Sequence, residues 1–423
     1  HIVDQVQSRG MPTEIALLPI VESAFRPFAY SHGRAAGIWQ FVPSTGKHFG
    51  LKQNWWYDGR RDVIAATDAA LDYLSRLHDM FDGDWLLAIA AYNAGEGNVL
   101  NAVKRNRRRG RPTDFWHLDL PRETETYVPR LLGLRDLVRS PEAHGISLPS
   151  IPNEPRIEAV KVDSQLDLAL AADLAGISIE RLYQLNPGYN RWATAPSGPH
   201  RIVLPVGRVD QFEQGLEATP TEKRVRWRRH KIARGETLIQ IARRYHTTVK
   251  VIRDVNGIHG NTIRAGHHLV VPMASRPSDA YSLSKSQRLA ALQGRSRSGQ
   301  KHVHVVKRGD TLWGIARRYG VSVRTLGRWN RMAPGDTLRP GQRLVIWTKG
   351  GVTPVAAGSS VPGNRIQSVR YTVRSGDSLY RIAQRFNVKV SDLRRWNNIA
   401  RGRYLQPGQK LRLKVDVTRQ SGI

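Results

Sequence analysis

The sequence of 423 residues has no cysteine and no long apolar run. The lack of cysteine excludes disulfides, thiolate metal sites, cysteine nucleophiles and iron–sulfur clusters. The apolar run near the start, residues 15–21, is only seven residues long, whereas a membrane-spanning helix needs about 18–20 apolar residues. No transmembrane helix is therefore predicted. The sequence starts with His1 and not with Met, so we expect any signal peptide or lipid anchor to lie outside it.

Acidic residues are scarce: there are 35 Asp and Glu against 66 Lys and Arg, which gives a formal net charge of +31. The imbalance is uneven, because residues 1–150 carry 18 basic and 17 acidic residues while the remainder carries 48 and 18. Such a basic region favours an anionic partner: nucleic acid, an anionic polymer or an acidic membrane surface. The apolar fraction of 40% is otherwise that of a globular protein.

Three segments of the basic region share one pattern. A glycine is followed after six residues by Ile-Ala, after ten by an aromatic residue and after twenty-one by an asparagine. The aligned positions are Gly235, Ile241, Tyr245 and Asn256; Gly309, Ile315, Tyr319 and Asn330; and Gly376, Ile382, Phe386 and Asn397. Each copy predicts a strand, two helices and a second strand, with the residues after the glycine capping the first helix.

A fourth, degenerate copy spans residues 156–206, with Asn186 in the asparagine position. Gln165 replaces its turn glycine and Ala175 its aromatic residue. The predicted organisation is therefore a first domain, the degenerate module, three full modules and two flexible linkers rich in small and polar residues. The first domain spans 1–150 and the degenerate module 156–206. The three full modules span 225–273, 301–347 and 367–415, and the two linkers span 274–300 and 348–366.

The first domain shows helical and not alternating periodicity. Apolar residues recur at helical spacing over 62–80, 85–92 and 123–138, and Asp84 is placed to cap the second of these segments. The predicted fold class is thus multidomain: a mainly α domain followed by small α+β modules of βααβ order.

Glu22 lies near the end of the apolar segment 17–25. Apolar surroundings disfavour the ionised carboxylate, so the carboxyl can keep its proton near neutral pH, as a general acid must. Residue type alone favours the plainer interpretation, a surface glutamate near a helix end.

Four motifs in order favour the first interpretation. They are Glu22-Ser23, the segment 37–45 (GIWQFVPST), the segment 91–95 (AYNAG) and the segment 123–128 (ETETYV). Together they resemble the lysozyme-like lytic transglycosylases, which cleave bacterial peptidoglycan, and the three repeats resemble LysM modules, which bind N-acetylglucosamine polymers. Trp39 and Val42 stand where many members of that family have methionine.

The resemblance implies that Glu22 protonates the oxygen between N-acetylmuramic acid and N-acetylglucosamine. It then acts as base on the sugar's own 6-hydroxyl, which leaves a 1,6-anhydromuramic end without net hydrolysis. One catalytic carboxyl suffices for this reaction, whereas ordinary glycosidases use two, about 5–9.5 Å apart. The next carboxylate in the sequence is Asp58, beyond the glycine-rich segment.

The resemblance also assigns substrate-binding positions. Ser31 and Gln40 would orient the saccharide and Glu22, Tyr92 and Asn93 would shape the cleft, and Glu123 and Tyr127 would hold the sugar or the fold. Plain core packing is an equal alternative for Tyr127, as it is for Trp39 and Phe41. Glu123 fits equally well as a carboxylate that stabilises a helix N-terminus.

In the modules, the resemblance places glycan contact at the turn before the first helix, although the fold itself also requires this turn. The positions concerned are Gly235 and Thr237; Gly309, Asp310 and Thr311; and Gly376, Asp377 and Ser378. Three linked weak binders would raise the effective affinity through avidity.

No cofactor and no metal site is predicted, because the histidines lack ligand partners at suitable spacing. The resemblance implies a monomer of the bacterial cell envelope that acts in cell wall turnover in the periplasm. Its anchor would be an N-terminal lipid in the outer membrane, and its partner would be the glycan strand and not nucleic acid.

Three other functions remain open. The sequence does not clearly distinguish a lytic transglycosylase from a lysozyme-type hydrolase on the same fold. A non-catalytic wall-binding scaffold is disfavoured by the intact set of Glu22, Ser31, Gln40 and Tyr92-Asn93. A nucleic-acid binder would explain the charge and the tryptophans of the basic region, Trp227, Trp313, Trp329 and Trp396, but those aromatic residues occupy fixed repeat positions.

Overall fold

The computed structural model describes residues 1–31, 33–245, 247–348, 366–373, 377–379, 382–383, 386, 388, 390–400, 405–406 and 408–416. Gly376 and residues 349–365 of the second predicted linker lie outside these ranges.

The N-terminal domain is helical, as predicted. Its helices are α1 (Ile2–Ser8), α2 (Leu18–Ser23), α3 (Pro43–His48), α4 (Val63–Met80), α5 (Trp85–Ala94), α6 (Glu96–Arg108) and α7 (Arg122–Arg139). Asp62 and Asp84 cap α4 and α5 by accepting hydrogen bonds from the amides of Ala65 and Leu87. The middle of α5 is buried on all sides, which makes it the central helix around which α4, α6 and α7 pack.

Short 3-10 turns complete this part of the chain and the connections that follow it. They span Thr13–Leu17, Gly59–Arg61, Phe115–His117, Glu142–His144, Val206–Arg208, Thr221–Lys223 and Ser278–Ala280.

The modules follow the predicted strand–helix–helix–strand order. Module 156–206 has β1 (Ile157–Lys161), α8 (Leu168–Leu174), α9 (Ile179–Leu185) and β2 (Arg201–Pro205), followed by α10 (Val209–Glu217). Module 225–273 has β3 (Arg226–Lys231), α11 (Leu238–Arg244), α12 (Val249–Val255) and β4 (His268–Met273). Module 301–347 has β5 (Gln300–Val305), α14 (Leu312–Arg318), α15 (Val323–Asn330) and β6 (Arg343–Thr348).

In module 367–415 the described elements are β7 (Ile366–Thr372), the helix Val390–Asn397 and β8 (Lys410–Asp416). In each of the four modules the two strands pair antiparallel as a two-stranded sheet.

The repeat asparagine joins the second helix of each module to its last strand. The Asn330 amide nitrogen donates to the carbonyls of Leu326 (2.9 Å) and Val345 (2.8 Å), and its oxygen accepts from the Val345 amide at 2.7 Å. Asn186, Asn256 and Asn397 make the same three contacts in their own modules. Only an amide side chain both donates and accepts in this way, which explains the spacing of the repeat.

Module 156–206 shares a hydrophobic core with the N-terminal domain. Trp56 and Tyr57 are buried in the core of this module, and the Asp58 amide donates to the Gly188 carbonyl at 2.8 Å. Arg201 pairs with Asp62 at 2.7 Å at the edge of this contact. The degenerate module is therefore packed as part of the first domain.

The segment 274–300 differs from the flexible linker that its composition predicts. It contains α13 (Lys285–Gly294), and Tyr281 is 2% exposed in the core of module 156–206. The Tyr281 hydroxyl donates to the Asp167 carboxylate at 3.0 Å. This buried aromatic residue and its acceptor, together with the Arg276–Asp173 ion pair at 2.7 Å, fix the segment, and composition alone does not reveal such anchors.

Module 301–347 contacts the N-terminal domain near residues 28–34. Arg331 donates to the Phe28 carbonyl at 2.6 Å, and Arg34 pairs with Asp336 at 2.5 Å. No helix within the described ranges is long and apolar enough to cross a membrane.

Candidate active site

Glu22 occupies the last turn of α2. The helix ends one residue later, at Ser23, because Ala24 and Phe25 adopt left-handed backbone angles with φ of 49° and 53°. The carboxyl is half-buried, and its Oε1 accepts a hydrogen bond from the Tyr127 hydroxyl at 2.5 Å. Tyr127 itself is buried on α7, so its ring packs in the core while its hydroxyl reaches the carboxyl. Of the roles considered for Tyr127, core packing is the one that these contacts support, and its hydroxyl in addition holds the Glu22 carboxyl.

The Glu22 carboxyl holds its proton unusually tightly. Burial raises its pKa from 4.5 to about 7; the Tyr127 hydrogen bond works against this shift and the nearby charge of Glu123 adds to it. Near neutral pH a large fraction of Glu22 is therefore protonated, which is the state of a general acid.

Two phenols form the surroundings of this carboxyl. Burial and the charge of Glu22 raise the pKa values of Tyr92 and Tyr127 well above the ordinary value of a phenol, so both stay neutral donors. The Tyr92 hydroxyl donates to the Trp39 carbonyl at 2.8 Å. Tyr92 thereby links α5 to the segment that carries Gln40.

The segment 35–41 lies against α2. The Ser23 hydroxyl, directly after Glu22, donates to the Ile38 carbonyl at 2.9 Å. Gln40 has a left-handed φ of 47°, and its side-chain amide donates to the Gly37 carbonyl at 2.8 Å. Ser31 accepts from the Ala35 amide at 3.0 Å and so shapes the turn before this segment.

Trp39 and Phe41 are core residues. Both are buried, and the Trp39 indole nitrogen donates to the Thr67 hydroxyl at 3.0 Å. Of the alternatives considered for these two aromatic residues, packing is the one that the structure supports.

Sequence reasoning missed Arg60, which holds both ends of the segment 35–41 by hydrogen bonds to its backbone and to that of Arg34. Its guanidinium donates to the carbonyls of Arg34 (2.7 Å) and Phe41 (3.1 Å), and it pairs with both oxygens of Asp58 at 2.9 Å. A Cβ on Gly37 would lie 1.8 Å from the Arg60 carbonyl oxygen, so only glycine fits there. The Gly-Arg-Arg run at 59–61 carried no motif that signals this role.

Asp58 therefore forms ion pairs with Arg60 and, at 3.5 Å, with Arg61. Although burial opposes it, these guanidinium groups hold the Asp58 pKa below its usual value. The carboxylate that follows Glu22 in the sequence is thus a buried ion-pair partner. The carboxylate that does act on Glu22 is the exposed Glu123, through its charge.

Asn93 and Glu123 approach the site from α5 and α7. The Thr124 hydroxyl donates to the Asn93 side-chain oxygen at 2.7 Å and joins the two helices. Glu22, Tyr92, Tyr127 and Glu123 thus come together, with Asn93 beside them. Ser31 and Gln40 lie on the adjoining segment, and no hydrogen bond joins either of them to Glu22 in the described part of the chain.

In the modules, the turn side chains are engaged within the fold. The Asp310 carboxylate accepts from the Lys307 amide and contacts the His304 ring nitrogen, both at 2.8 Å. Thr237 and Thr311 cap α11 and α14. Asp377 accepts from the Tyr371 hydroxyl at 2.6 Å, and the Ser378 carbonyl accepts from the Ile382 amide at 2.9 Å. Gly235 and Gly309 adopt left-handed φ angles at these turns.

No cluster of three or more histidine, aspartate or glutamate side chains suited to a metal occurs among the described residues.

Comparison with known proteins identifies three kinds of domain along the chain. The Transglycosylase SLT domain matches residues 2–115. The LysM-like domain of the lytic transglycosylase MltD matches residues 156–221. The LysM domain matches residues 230–272, 304–347 and 371–414.

Among individual relatives, the membrane-bound lytic murein transglycosylase D of Escherichia coli (strain K12) is 40% identical over 416 residues, which cover 98% of this chain and 75% of that protein. A putative tributyltin chloride resistance protein of Alteromonas sp. is 39% identical over 38% of this chain and 77% of its own length. The X-ray structure of the lytic transglycosylase Slt from Pseudomonas aeruginosa is 26% identical over 34% of this chain and 24% of that one. Its TM-score of 0.25 is too low to bear on the fold.

Proposed function

The chain belongs to the family of the membrane-bound lytic murein transglycosylase D, and on that premise we propose that Glu22 is the acid and base of a peptidoglycan lytic transglycosylase. The observation that carries the proposal is the half-buried Glu22 carboxyl, whose pKa is raised to about 7 beside two neutral phenols.

In the proposed reaction, protonated Glu22 gives its proton to the oxygen that bridges N-acetylmuramic acid to N-acetylglucosamine. The bond from that oxygen to C1 of the muramic sugar breaks as the sugar's own 6-hydroxyl oxygen bonds to C1. The proton of that hydroxyl passes to the Glu22 carboxylate, which restores the acid. No water is consumed, and the product is a 1,6-anhydromuramic end.

The other candidate residues receive positioning roles in this proposal. The Tyr127 hydroxyl holds the Glu22 carboxyl in one orientation by their 2.5 Å hydrogen bond. Tyr92 and Asn93 shape the adjoining wall, and Ser31 and Gln40 orient the saccharide from the segment beside α2. Glu123 is exposed and contacts the bound sugar in this proposal, while its charge adds to the effect of burial in raising the Glu22 pKa.

The three LysM modules bind N-acetylglucosamine-containing glycan and keep the enzyme on an insoluble polymer. Since the side chains of Asp310, Thr237 and Thr311 serve the fold, the proposed glycan contact uses the backbone exposed around Gly235 and Gly309. The strongly basic composition of this region attracts the anionic cell wall. Action in cell wall turnover on the periplasmic side of the envelope, with a lipid anchor in the outer membrane, belongs to the same proposal.

The test is mass spectrometry of the soluble fragments released from purified peptidoglycan. We expect fragments that end in anhydromuramic acid, one water lighter than hydrolysis products. The Glu22→Gln variant should release them on the order of a thousandfold more slowly. Glu125→Gln, an exposed carboxyl on α7, is the matched control and should keep the native rate.

Fragments with reducing ends would instead identify a lysozyme-type hydrolase. Retention of the protein on the polymer with no fragments at all would identify a wall-binding scaffold.

A further inference from the structure

A cavity of about 430 Å³ lies where the N-terminal domain, α13 and α15 meet. We call it the arginine pocket, after the four arginines that line it: Arg288, Arg295, Arg328 and Arg331. Phe28, Tyr30 and Ser31 line it from the N-terminal domain. It falls in the size range of about 300–1,000 Å³ typical of ligand sites.

Arg288 is the buried arginine of the pocket, with 9% of its surface exposed. Its guanidinium stacks over the Phe28 ring at 4.3 Å, and its Nη1 donates to the Leu283 carbonyl. The Nε and Nη2 atoms are buried and have no hydrogen-bond partner among the described residues. Buried polar atoms are nearly always partnered, so two unpartnered donors beside a cavity indicate a ligand that supplies the acceptors.

The charge around the pocket is also uncompensated. Lys285, Arg288 and Arg331 form no ion pair with a carboxylate in the ranges that the structure describes. The carboxylate whose charge acts on all three, Asp58, is already paired with Arg60 and Arg61. Burial, and next to it the charge of Arg61, lower the pKa values of all three cations. An anion in the pocket would relieve this repulsion.

We propose that the arginine pocket binds a carboxylate of the acidic peptide carried by the peptidoglycan glycan. The proposal rests on the proposed function, since the glycan must occupy the cleft for its peptide to reach the pocket. Ser31, a proposed saccharide contact, also lines the pocket, so the proposed saccharide site and the pocket adjoin at this residue.

The chemistry of the pocket suits this ligand. A guanidinium presents parallel donors that match the two oxygens of a carboxylate. The rings of Phe28 and Tyr30 provide an apolar wall for the remainder of a peptide. The pocket also requires both the N-terminal domain and module 301–347, so its ligand would bridge the catalytic and the glycan-binding parts.

The test compares two soluble glycan fragments of equal length, one with its peptides and one stripped of them by an amidase. Binding is measured by calorimetry with the full chain in the Glu22→Gln background, which prevents turnover. We expect the peptide-bearing fragment to bind about tenfold more tightly, as a charge-assisted contact provides. Arg288→Met keeps the packing over Phe28 and should abolish the preference, while the affinity for the stripped fragment stays unchanged.

Two further variants guard against a folding defect at Arg288. Arg328→Gln changes an exposed arginine of the pocket and should weaken only the peptide-bearing fragment. Arg324→Gln, an exposed arginine on the same helix outside the pocket, should leave both affinities unchanged.

Equal affinity of the unsubstituted pocket for the two fragments overturns the proposal, as does a preference that survives in both Arg288→Met and Arg328→Gln. Failure of the proposed function is a different result: neither fragment would be converted to anhydromuramic products by the native chain.

Discussion

Glu22 in the N-terminal domain and Asp310 in module 301–347 are both withdrawn from water, yet their pKa values move in opposite directions. Burial raises the pKa of Glu22 to about 7, with one phenol as hydrogen-bond partner and a second carboxylate nearby. Burial also acts against ionised Asp310, but the Lys307 amide and the His304 ring outweigh it and the pKa falls. Glu236, the equivalent residue of module 225–273, behaves in the same way. Burial opposes its ionisation, but the Ala233 amide, His230 and Arg244 lower its pKa.

The comparison shows that burial alone does not make an acid. A carboxyl becomes a proton donor where the fold withholds cations and backbone amides from it, and a structural anchor where the fold supplies them.

The largest expected effect is a gain of stability on replacing Glu22, the proposed acid. The folded state holds the Glu22 proton more tightly than the unfolded chain, so native stability falls as the pH rises from 4.5 towards 7. Glu22→Gln does not titrate and should stabilise the N-terminal domain by up to about 3 kcal/mol at pH 8. Near pH 4.5 it should have little effect. Hydrogen exchange of α5 and α7 in the full chain measures this, with Glu125→Gln as the control; an equal effect at both pH values would contradict it.

Removing an anchor should have the opposite sign. Asp310→Ala deletes the acceptor of the Lys307 amide and should destabilise module 301–347 by about 1–3 kcal/mol at pH 7. Because the Asp310 pKa is lowered, its contribution is present at neutral pH and is lost as the pH falls through the folded pKa. The variant and the native chain should therefore converge in acid. Hydrogen exchange within 301–347 is the readout, and Glu236→Ala should affect module 225–273 instead; an unchanged module 301–347 would refute the anchor role.

Loss of the Tyr127 hydroxyl should shift the pH at which the reaction rate begins to fall. The native rate should be level well below pH 7 and fall about tenfold per unit above it, as the acid loses its proton. The Tyr127 hydrogen bond lowers the Glu22 pKa, so Tyr127→Phe should shift this falling limb upward by up to about one unit, besides slowing the reaction. Tyr73→Phe is the matched control because its hydroxyl bonds Glu96 and not Glu22. If the falling part of the pH profile does not move in Tyr127→Phe, then the Tyr127 hydroxyl does not set the pKa of the group that controls the rate.

The smallest effect is expected at the neighbouring carboxylate. The charge of Glu123 raises the Glu22 pKa, so Glu123→Gln should move the same limb down by a few tenths of a unit, as a solvent-screened charge allows. Its direction is opposite to that of Tyr127→Phe. Kinetics at low and high salt would check the origin of the shift, because added salt should shrink the difference.

The elements were largely predictable because their signals are local. Helices α4, α5 and α7 follow from apolar spacing, and α5 also from its capping residue Asp84, signals that act within a few residues of the chain. The βααβ modules follow from the repeat, and Asn330 shows why the repeat exists: its side chain must reach one fixed strand position. The identity of Glu22 as candidate acid followed from its motif.

The sequence by itself therefore determined helices α4, α5 and α7, the repeated modules, the uneven distribution of charge and the candidate acid. Only the tertiary structure decided that segment 274–300 is held by Tyr281, that Arg60 supports the segment beside Glu22, and that Asp58 is an ion-pair partner. These features join residues far apart in the chain. Their energies come from burial and from partners, which no pattern of neighbouring residues encodes.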